Sequence, residues 1–202
     1  DEGPITRLTL NRPESLNALS QSLGDRVIAA LEEASRDTSV KAIILKGAGR
    51  AFCAGDDVTE RGYHDPEIEV SSIERHPYFQ LMRVIRRIPK PVIVQVHGYC
   101  LGSAMDLLLA ADFAVAAEDA QLGMVFGSRG IGPTGMVFLS RYLGLKQLNE
   151  VLFRAEPMSG VEAHELGLVT EVVPADELEQ RTEALAQRLV EYGERSYAYF
   201  GL

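Results

Sequence analysis

The sequence is poor in cysteine, with only Cys53 and Cys100 among its 202 residues. Two cysteines cannot build the disulfide framework of a small secreted domain, which indicates a reducing compartment. Long apolar runs are also missing, so no segment is predicted to span a bilayer. The acidic, polar start at residues 1–4 does not have the pattern of a signal peptide. These absences predict a cytoplasmic protein that is not a membrane protein.

Positive charge is the second shortage, because 20 Lys and Arg residues stand against 29 Asp and Glu residues. The resulting net charge of −9 makes nucleic acids and anionic membranes poor candidates as partners. The acidic residues are spread along the chain, which indicates a solvated surface rather than an interaction tail. With 46% hydrophobic residues, the chain is long enough to bury a substantial core. We expect one domain over residues 1–202.

Segments with strand patterns alternate with segments of helical period. Strands are predicted at residues 5–10, 40–46, 92–96, 113–117 and 168–173. Helices are predicted after a cap at Ser20 or Ser22, from Pro77, at about 134–143 and 146–153, after a capping box at Ser159, and from Asp176. The last helix is expected to bury an apolar seam formed by Leu178, Leu185, Leu189 and Tyr192. The alternation favours an α/β fold with largely parallel strands.

One stretch combines a buried strand with a chemically unusual helix. After the strand at residues 92–96, Gly98 and Gly102 allow sharp turns, and residues 103–111 are almost wholly apolar. The first turn of a helix leaves N–H groups unpaired, and in a dry cleft these would stabilise an oxyanion. Asp106 is the one acidic side chain on this helix. The stretch therefore predicts an anion site with a carboxylate one turn into the helix.

Two motifs offer alternative functions. Residues 130–135 match the Gly-x-Gly-x-x-Gly dinucleotide fingerprint, but a poor strand precedes them and Pro133 lies within the turn. Residues 98–102 match a nucleophile elbow with Cys100 as the nucleophile, which would make the protein a thiol hydrolase. That reading needs a later histidine, and only His164 follows, in a segment of surface character. Cys100 is better explained as a small buried residue. No histidine has metal-ligand spacing, and no metal is expected.

The motifs at residues 51–57 (Ala-Phe-Cys-Ala-Gly-Asp-Asp) and 98–106 (Gly-Tyr-Cys-Leu-Gly-Ser-Ala-Met-Asp) resemble the enoyl-CoA hydratase/isomerase (crotonase) superfamily. Further likeness lies in Asn11-Arg-Pro13, in residues 16–19 and in residues 163–169, so that it covers nearly the whole chain. The resemblance implies a crotonase-like α/β spiral of ββα units with helices around the sheets. It also implies that the family's C-terminal helices are lacking here.

The resemblance further implies an acyl-CoA thioester as substrate and an enolate as intermediate. By motif position, the N–H groups of Asp56 and Ser103 form the oxyanion hole. Asp106 takes the place of one of two glutamates that the family's hydratases use. No resident cofactor is implied, because coenzyme A is part of the substrate. A homotrimer or hexamer is the expected assembly.

The positions expected to contact substrate follow from the same resemblance. They are Leu16, Ala18, Ala54, Asp57, Gly102, Phe126 and Thr134. Phe126 falls where the family has its second glutamate, and Thr134 falls at the family's alternative carboxylate. Glu14 and Thr59 fall where lysines are often found near the phosphates of coenzyme A. Asp57 has a competing interpretation as a residue that only fixes its loop.

These departures leave the reaction open. Adding water to a double bond calls for an acid and a base, whereas one carboxylate suffices for isomerase, hydrolase or decarboxylase chemistry. Asp106 also has a competing interpretation as a structural carboxylate. A second class of function is a non-catalytic acyl-CoA-binding protein on the same fold.

Overall fold

Parallel pairing of buried apolar strands organises the chain. The computed structural model describes residues 3–59, 77–125 and 136–199. Its larger sheet has five parallel strands in the order β1-β2-β3-β5-β8. These strands are β1 (Ile5–Leu10), β2 (Ala42–Gly47), β3 (Val92–Val96), β5 (Phe113–Ala117) and β8 (Glu171–Val173). Every residue of β3 is buried, as expected for a central strand covered on both faces.

A second, three-stranded sheet lies beside the first. Its strands are β4 (Tyr99–Leu101), β6 (Gln121–Gly123) and β7 (Met158–Ser159), in the order β4-β6-β7. A further parallel bridge joins Cys53 to Cys100 and so extends this sheet toward the N-terminal part of the chain. Successive strand pairs, such as β3 with β4 and β5 with β6, therefore place one strand in each sheet. This is the spiral of ββα units that the family resemblance implies.

Seven α-helices are found in the described part of the chain. They are α1 (Gln21–Arg36), α2 (Pro77–Ile85), α3 (Ser103–Ala110), α4 (Met136–Tyr142), α5 (Leu145–Arg154), α6 (Gly160–Glu165) and α7 (Leu178–Tyr199). A short 3-10 turn, Pro13–Ser15, precedes α1. Helix α7 packs on β1, β2, β3 and β5 and so covers one face of the larger sheet. All eight residues of α3 are buried, which confirms the prediction of a helix surrounded by protein.

Two helix starts are confirmed in detail. The Ser20 hydroxyl accepts from the Leu23 N–H at 3.2 Å, so Ser20, and not Ser22, caps α1. Ser159 and Glu162 form the predicted reciprocal capping box at α6. The hydrogen bonds from the backbone N–H and the hydroxyl of Ser159 lower the pKa of Glu162. Local side-chain chemistry thus determines where these helices begin.

Two predictions about local structure are wrong. The strand predicted over residues 168–173 comprises only Glu171–Val173, because Leu168 and Val169 are buried in the turn that follows Gly167. Tyr192 does not belong to the buried seam of α7, since its side chain is 66% exposed. It directly precedes Gly193, whose φ of 71° interrupts the helix. Apolar character alone did not distinguish a buried turn from a strand.

A buried lysine closes the C-terminal end of α1. Lys90 is 6% exposed, and its ammonium donates to the carbonyls of Ala34 at 2.7 Å and Asp37 at 2.5 Å. The last carbonyls of a helix have no partner within the helix, and a cation there also interacts favourably with the helix dipole. Lys90 therefore anchors α1 to the segment that leads into β3.

Replacing Lys90 by methionine is expected to lower the free energy of unfolding by about 1–3 kcal/mol, because two hydrogen bonds from a charged donor are lost. Urea unfolding should show a lower midpoint with an unchanged slope. Lys146→Met, on the exposed surface of α5, is the matched control and should change stability by no more than about 0.5 kcal/mol. Equal effects of the two substitutions would contradict the anchoring role.

Candidate active site

Residues 12–19, which we call the strap, pair with residues 53–57, which we call the loop. The Leu19 N–H donates to the Gly55 carbonyl at 2.8 Å, and the Leu19 carbonyl accepts from the Asp57 N–H at 3.1 Å. These two bonds form a parallel bridge around Asp56. The strap thus fixes the backbone of the loop on both sides of one residue.

The strap has an unusual backbone that a buried asparagine stabilises. Leu16 and Asn17 have φ angles of 50° and 57°, a left-handed conformation that is uncommon for residues other than glycine. The fully buried Asn17 side chain accepts from the Arg12 N–H at 2.9 Å. Its amide donates to the carbonyls of Ala48 at 2.9 Å and Ala51 at 2.8 Å. Three hydrogen bonds from one side chain therefore hold the turn of the strap against the chain that enters the loop.

The pairing determines where the Asp56 N–H points. A trans peptide places its N–H opposite its C=O, and Gly55 C=O shares a peptide plane with Asp56 N–H. Since the Gly55 carbonyl accepts from Leu19, the Asp56 N–H is directed away from the strap. The first of the two predicted oxyanion donors is thus oriented by main-chain hydrogen bonds.

The second predicted donor lies at the N-terminus of α3. The Gly102 carbonyl accepts from the Met105 N–H at 3.0 Å, so the Ser103 N–H points out of the helix end by the same peptide geometry. The loop lies close by, because a Cβ atom on Gly55 would be 2.7 Å from the Leu101 carbonyl oxygen and 3.5 Å from the Ser103 nitrogen. Glycine at position 55, with a φ of 93°, permits this approach.

A cavity of about 660 Å³ opens at this meeting point of loop, strap and helix. Asp56 and Ser103 line it, as do five of the predicted substrate contacts, namely Leu16, Ala18, Ala54, Asp57 and Gly102. The structure thus brings together seven of the ten residues that the sequence singles out. Phe126 and Thr134 lie outside the described residues. Contact of the seven lining residues with a substrate stays a prediction.

Asp106 is placed differently from the other predicted site residues. It is fully buried in α3 and does not belong to the described wall of the cavity. It lies three residues after Ser103, which corresponds to about 4.5 Å along the helix axis. Its negative charge contributes to the raised pKa of Cys100, after burial and Cys53. Asp106 is therefore one turn behind the second predicted donor, within the protein core.

Two arginines on the cavity wall were not predicted as site residues. Arg12 forms an ion pair with Asp57, with Nη1 and Oδ2 3.0 Å apart, and the same Nη1 donates to the Ala18 carbonyl at 2.9 Å. Arg50 is exposed at the cavity. Arg12 belongs to the Asn11-Arg-Pro13 motif, which was the available signal for its role. No comparable sequence signal indicates Arg50.

Asp57 has hydrogen bonds on both carboxylate oxygens. Oδ1 accepts from the Thr59 hydroxyl at 2.6 Å and the Thr59 N–H at 3.1 Å, while Oδ2 accepts from Arg12. The Thr59 hydroxyl and Arg12 lower the pKa of Asp57, and partial burial opposes them. Thr59 also lines the cavity, and its hydroxyl is engaged by the hydrogen bond to the Asp57 carboxylate. The carboxylate therefore ties together residues within and around the loop.

The two cysteines are unsuited to nucleophilic chemistry. Cys53 and Cys100 are fully buried. Burial raises the pKa of Cys53 to about 12 and raises that of Cys100 well above its ordinary value. A thiol acts as a nucleophile in its ionised form. These positions therefore favour the interpretation of Cys100 as a buried core residue over a thiol hydrolase.

The histidines that the structure describes bond to carbonyl oxygens. A ring nitrogen of His97 lies 2.9 Å from the Gly49 oxygen, and one of His164 lies 3.2 Å from the Val169 oxygen. Across residues 3–59, 77–125 and 136–199, no group of three or more His, Cys, Asp or Glu side chains could hold a metal. Over the same ranges, no helix is both long and apolar enough to cross a membrane.

The fold and this arrangement define the chain as an α/β protein with the crotonase architecture. It is similar to a solved enoyl-CoA hydratase from Mycobacterium smegmatis, with a TM-score of 0.87 and 35% identity over 94% of this chain and 74% of the other. The family model described as enoyl-CoA hydratase/isomerase matches residues 1–201. The chain belongs to the enoyl-CoA hydratase/isomerase family.

Two curated relatives carry different names. A 1,2-epoxyphenylacetyl-CoA isomerase of Escherichia coli is 33% identical over 93% of this chain and 73% of its own length. A Bacillus subtilis protein named "Probable enoyl-CoA hydratase" is 36% identical over 96% of this chain and 76% of its own length. The matches therefore establish the family and not the reaction.

Burial of both thiols leads to a simple prediction. At pH 8 the folded protein should react with a thiol-alkylating reagent at neither cysteine within an hour, because the thiolates are disfavoured and shielded. In denaturant, where each pKa returns to its ordinary range, both should be labelled. Mass spectrometry after quenching measures the number of adducts. Rapid labelling of Cys100 in the folded protein would revive the hydrolase interpretation.

Proposed function

We propose that this protein transforms an acyl-CoA thioester through an enolate whose oxygen is held by the N–H groups of Asp56 and Ser103. Membership of the family supports the substrate class. The observation that carries the proposal is the cavity at which the loop and the N-terminus of α3 meet. Both peptide planes are fixed by hydrogen bonds to their carbonyl oxygens, so the two N–H groups need no reorientation when charge develops.

Fixed N–H donors favour the transition state over the ground state. When a thioester becomes an enolate, negative charge accumulates on the carbonyl oxygen, and interactions that strengthen with this charge accelerate the reaction. One donor of this kind is typically worth about 3–4 kcal/mol. The positive end of the α3 dipole at Ser103 acts in the same direction.

Proton transfer requires a second group, and we assign it to Asp106. Asp106 lies one turn behind Ser103 and is shielded from solvent, so a proton moved there would not exchange freely with water. Phe126, at the position expected for a second carboxylate, cannot move a proton. Isomerisation, hydrolysis and decarboxylation are therefore proposed beside hydration. The isomerase and hydratase names of the two relatives fit this range.

Arg50 suits the nucleotide part of such a substrate. Coenzyme A carries phosphate groups, and the protein as a whole has a net charge of −9 that would repel them. An exposed arginine at the cavity offsets this repulsion locally and can bind phosphate bidentately. Coenzyme A thus enters as part of the substrate, and no resident cofactor is proposed.

We also propose that the protein assembles as a homotrimer or hexamer and acts in the cytoplasm. Exposed apolar side chains around α4 and α5 support an assembly. Tyr142, Leu145 and Phe153 are 45%, 72% and 84% exposed. Burying such side chains against another subunit would be favourable. Sedimentation of the purified protein would measure the assembly state.

The experiment that tests the function is mass spectrometry of a thioester panel after incubation with the protein. The panel contains saturated, 2-enoyl, 3-enoyl, malonyl-type and β-keto acyl-CoA thioesters, with chromatography to separate isomers. A gain of one water on a 2-enoyl thioester identifies a hydratase. A double-bond shift, loss of carbon dioxide or chain cleavage identifies the corresponding alternative. Binding without any conversion would overturn the proposal in favour of an acyl-CoA-binding protein.

Asp106→Asn should lower kcat on the best substrate of that panel by at least about 100-fold, because the amide cannot transfer the proton. Thioester binding, measured by calorimetry, should stay within about threefold because the side chain keeps its volume. Asp119→Asn, on the exposed surface away from the cavity, controls for the loss of one negative charge. Full turnover by Asp106→Asn would show that this aspartate is structural.

A further inference from the structure

The ion pair between Arg12 and Asp57 links the strap to the loop at the cavity wall. The two side chains are 25% and 10% exposed, so the pair is largely shielded from solvent. The same guanidinium nitrogen of Arg12 also donates to the Ala18 carbonyl at 2.9 Å. One nitrogen thus holds a strap carbonyl and a loop carboxylate together.

This contact lies next to the bond that orients the Asp56 N–H. Ala18 directly precedes Leu19, whose N–H holds the Gly55 carbonyl, and Asp57 directly follows Asp56. A shift between strap and loop would therefore rotate the peptide plane shared by Gly55 and Asp56. Since oxyanion stabilisation depends on donor geometry, a displacement of this plane weakens the interaction with the developing charge.

Other contacts hold the strap to the start of the loop, where the Ala54 N–H donates to the Leu16 carbonyl at 3.0 Å and the Cys53 thiol donates to the Asn17 carbonyl at 3.1 Å. The ion pair acts at the other end of the loop. Asn17 holds the other side of the strap through the carbonyls of Ala48 and Ala51, before the loop begins. Thr59 fixes the second carboxylate oxygen of Asp57 from the far side of the loop. Arg12 thus provides a side-chain contact between the strap and the loop at Asp57, the residue that follows Asp56.

We propose that Arg12 and Asp57 are positioning residues for catalysis, with their ion pair holding the Asp56 N–H in its productive orientation. The inference rests on the proposed function, because it assigns the orientation of a donor to that reaction. Arg12 and Asp57 act through the backbone and take no part in proton transfer. Their removal lowers kcat more than it changes KM, since an enolate carries more charge than the bound thioester.

A second ion pair in the same protein provides a matched control. Arg7 and Glu183 form two hydrogen bonds of 2.6 Å between β1 and α7, and their side chains are 34% and 31% exposed. Neither residue lines the cavity. Breaking this pair removes a contact of the same chemical kind without touching the strap or the loop.

The test compares Asp57→Asn, Arg12→Gln and the double variant with Glu183→Gln. On the panel thioester that the unchanged protein converts fastest, each variant of the Arg12 pair should lose about 10- to 100-fold in kcat, with KM within about threefold. The double variant should lose little more than either single variant, because the residues act as one unit. Glu183→Gln should retain kcat even where unfolding shows a lower stability.

Three outcomes would overturn the positioning role. One is an unchanged kcat in Asp57→Asn, and another is a raised KM with kcat retained, which would make the pair a binding element. The third is a kcat loss in Glu183→Gln that, relative to its loss of stability, is as large as the kcat loss in Asp57→Asn. The effect on kcat would then follow from destabilisation alone. If Arg12→Gln does not fold, Arg12→Lys replaces it. Because this variant keeps the positive charge, it should retain part of the kcat of the unchanged protein.

Hydrogen exchange separates failure of this inference from failure of the proposed function. In Asp57→Asn, the amides of Leu19 and Asp57 should exchange at least about tenfold faster, and in Glu183→Gln they should not change. If the unchanged protein converts no thioester, the proposed function fails, and with it the catalytic role of the pair. The exchange result then reports only whether the pair orders the loop. Unchanged exchange in Asp57→Asn would show that the ion pair does not hold the strap to the loop, even in an active enzyme.

Discussion

The close approach of two backbone segments is the constraint on which the rest of this structure depends. Phe52 N–H and Cys53 N–H donate to the carbonyls of His97 and Tyr99, both at 2.9 Å, and so bind the start of the loop to the segment that enters β4. Gly98 makes this pairing possible, because a Cβ atom there would collide with the Arg50 carbonyl oxygen. The proposed anion site lies where these two segments, from different ββα units, meet at glycines.

The cavity carries arginines although the protein as a whole is acidic. Arg12 is neutralised by Asp57, whereas Arg50 is exposed at the cavity. The buried thiols remain uncharged because burial raises their pKa values. The dipole of α3 adds partial positive charge at Ser103. Arg50 and the α3 dipole thus place positive charge at the cavity of a protein that is acidic overall.

Much of this architecture could be predicted from the sequence. The features that could not be predicted have identifiable physical causes. The alternation of Ile5–Leu10, the β-branched run of Val92–Val96 and the capping box at Ser159 are local signals and were read correctly. For α1 the sequence left Ser20 and Ser22 open as caps, and the structure shows Ser20. The strands of the smaller sheet have two or three residues each, too few to show a period. They are defined by partners distant in sequence, as are the buried Lys90 and the contact of Arg12 with Asp57.

The donors of the proposed oxyanion hole belong to the main chain, and this has an evolutionary consequence. Every residue except proline carries a backbone N–H, so substitutions at positions 56 and 103 can change the side chain without deleting the donor. An aspartate and a serine now occupy these positions. Variation at either position therefore leaves the proposed donors in place as long as the surrounding residues keep the backbone in the same conformation.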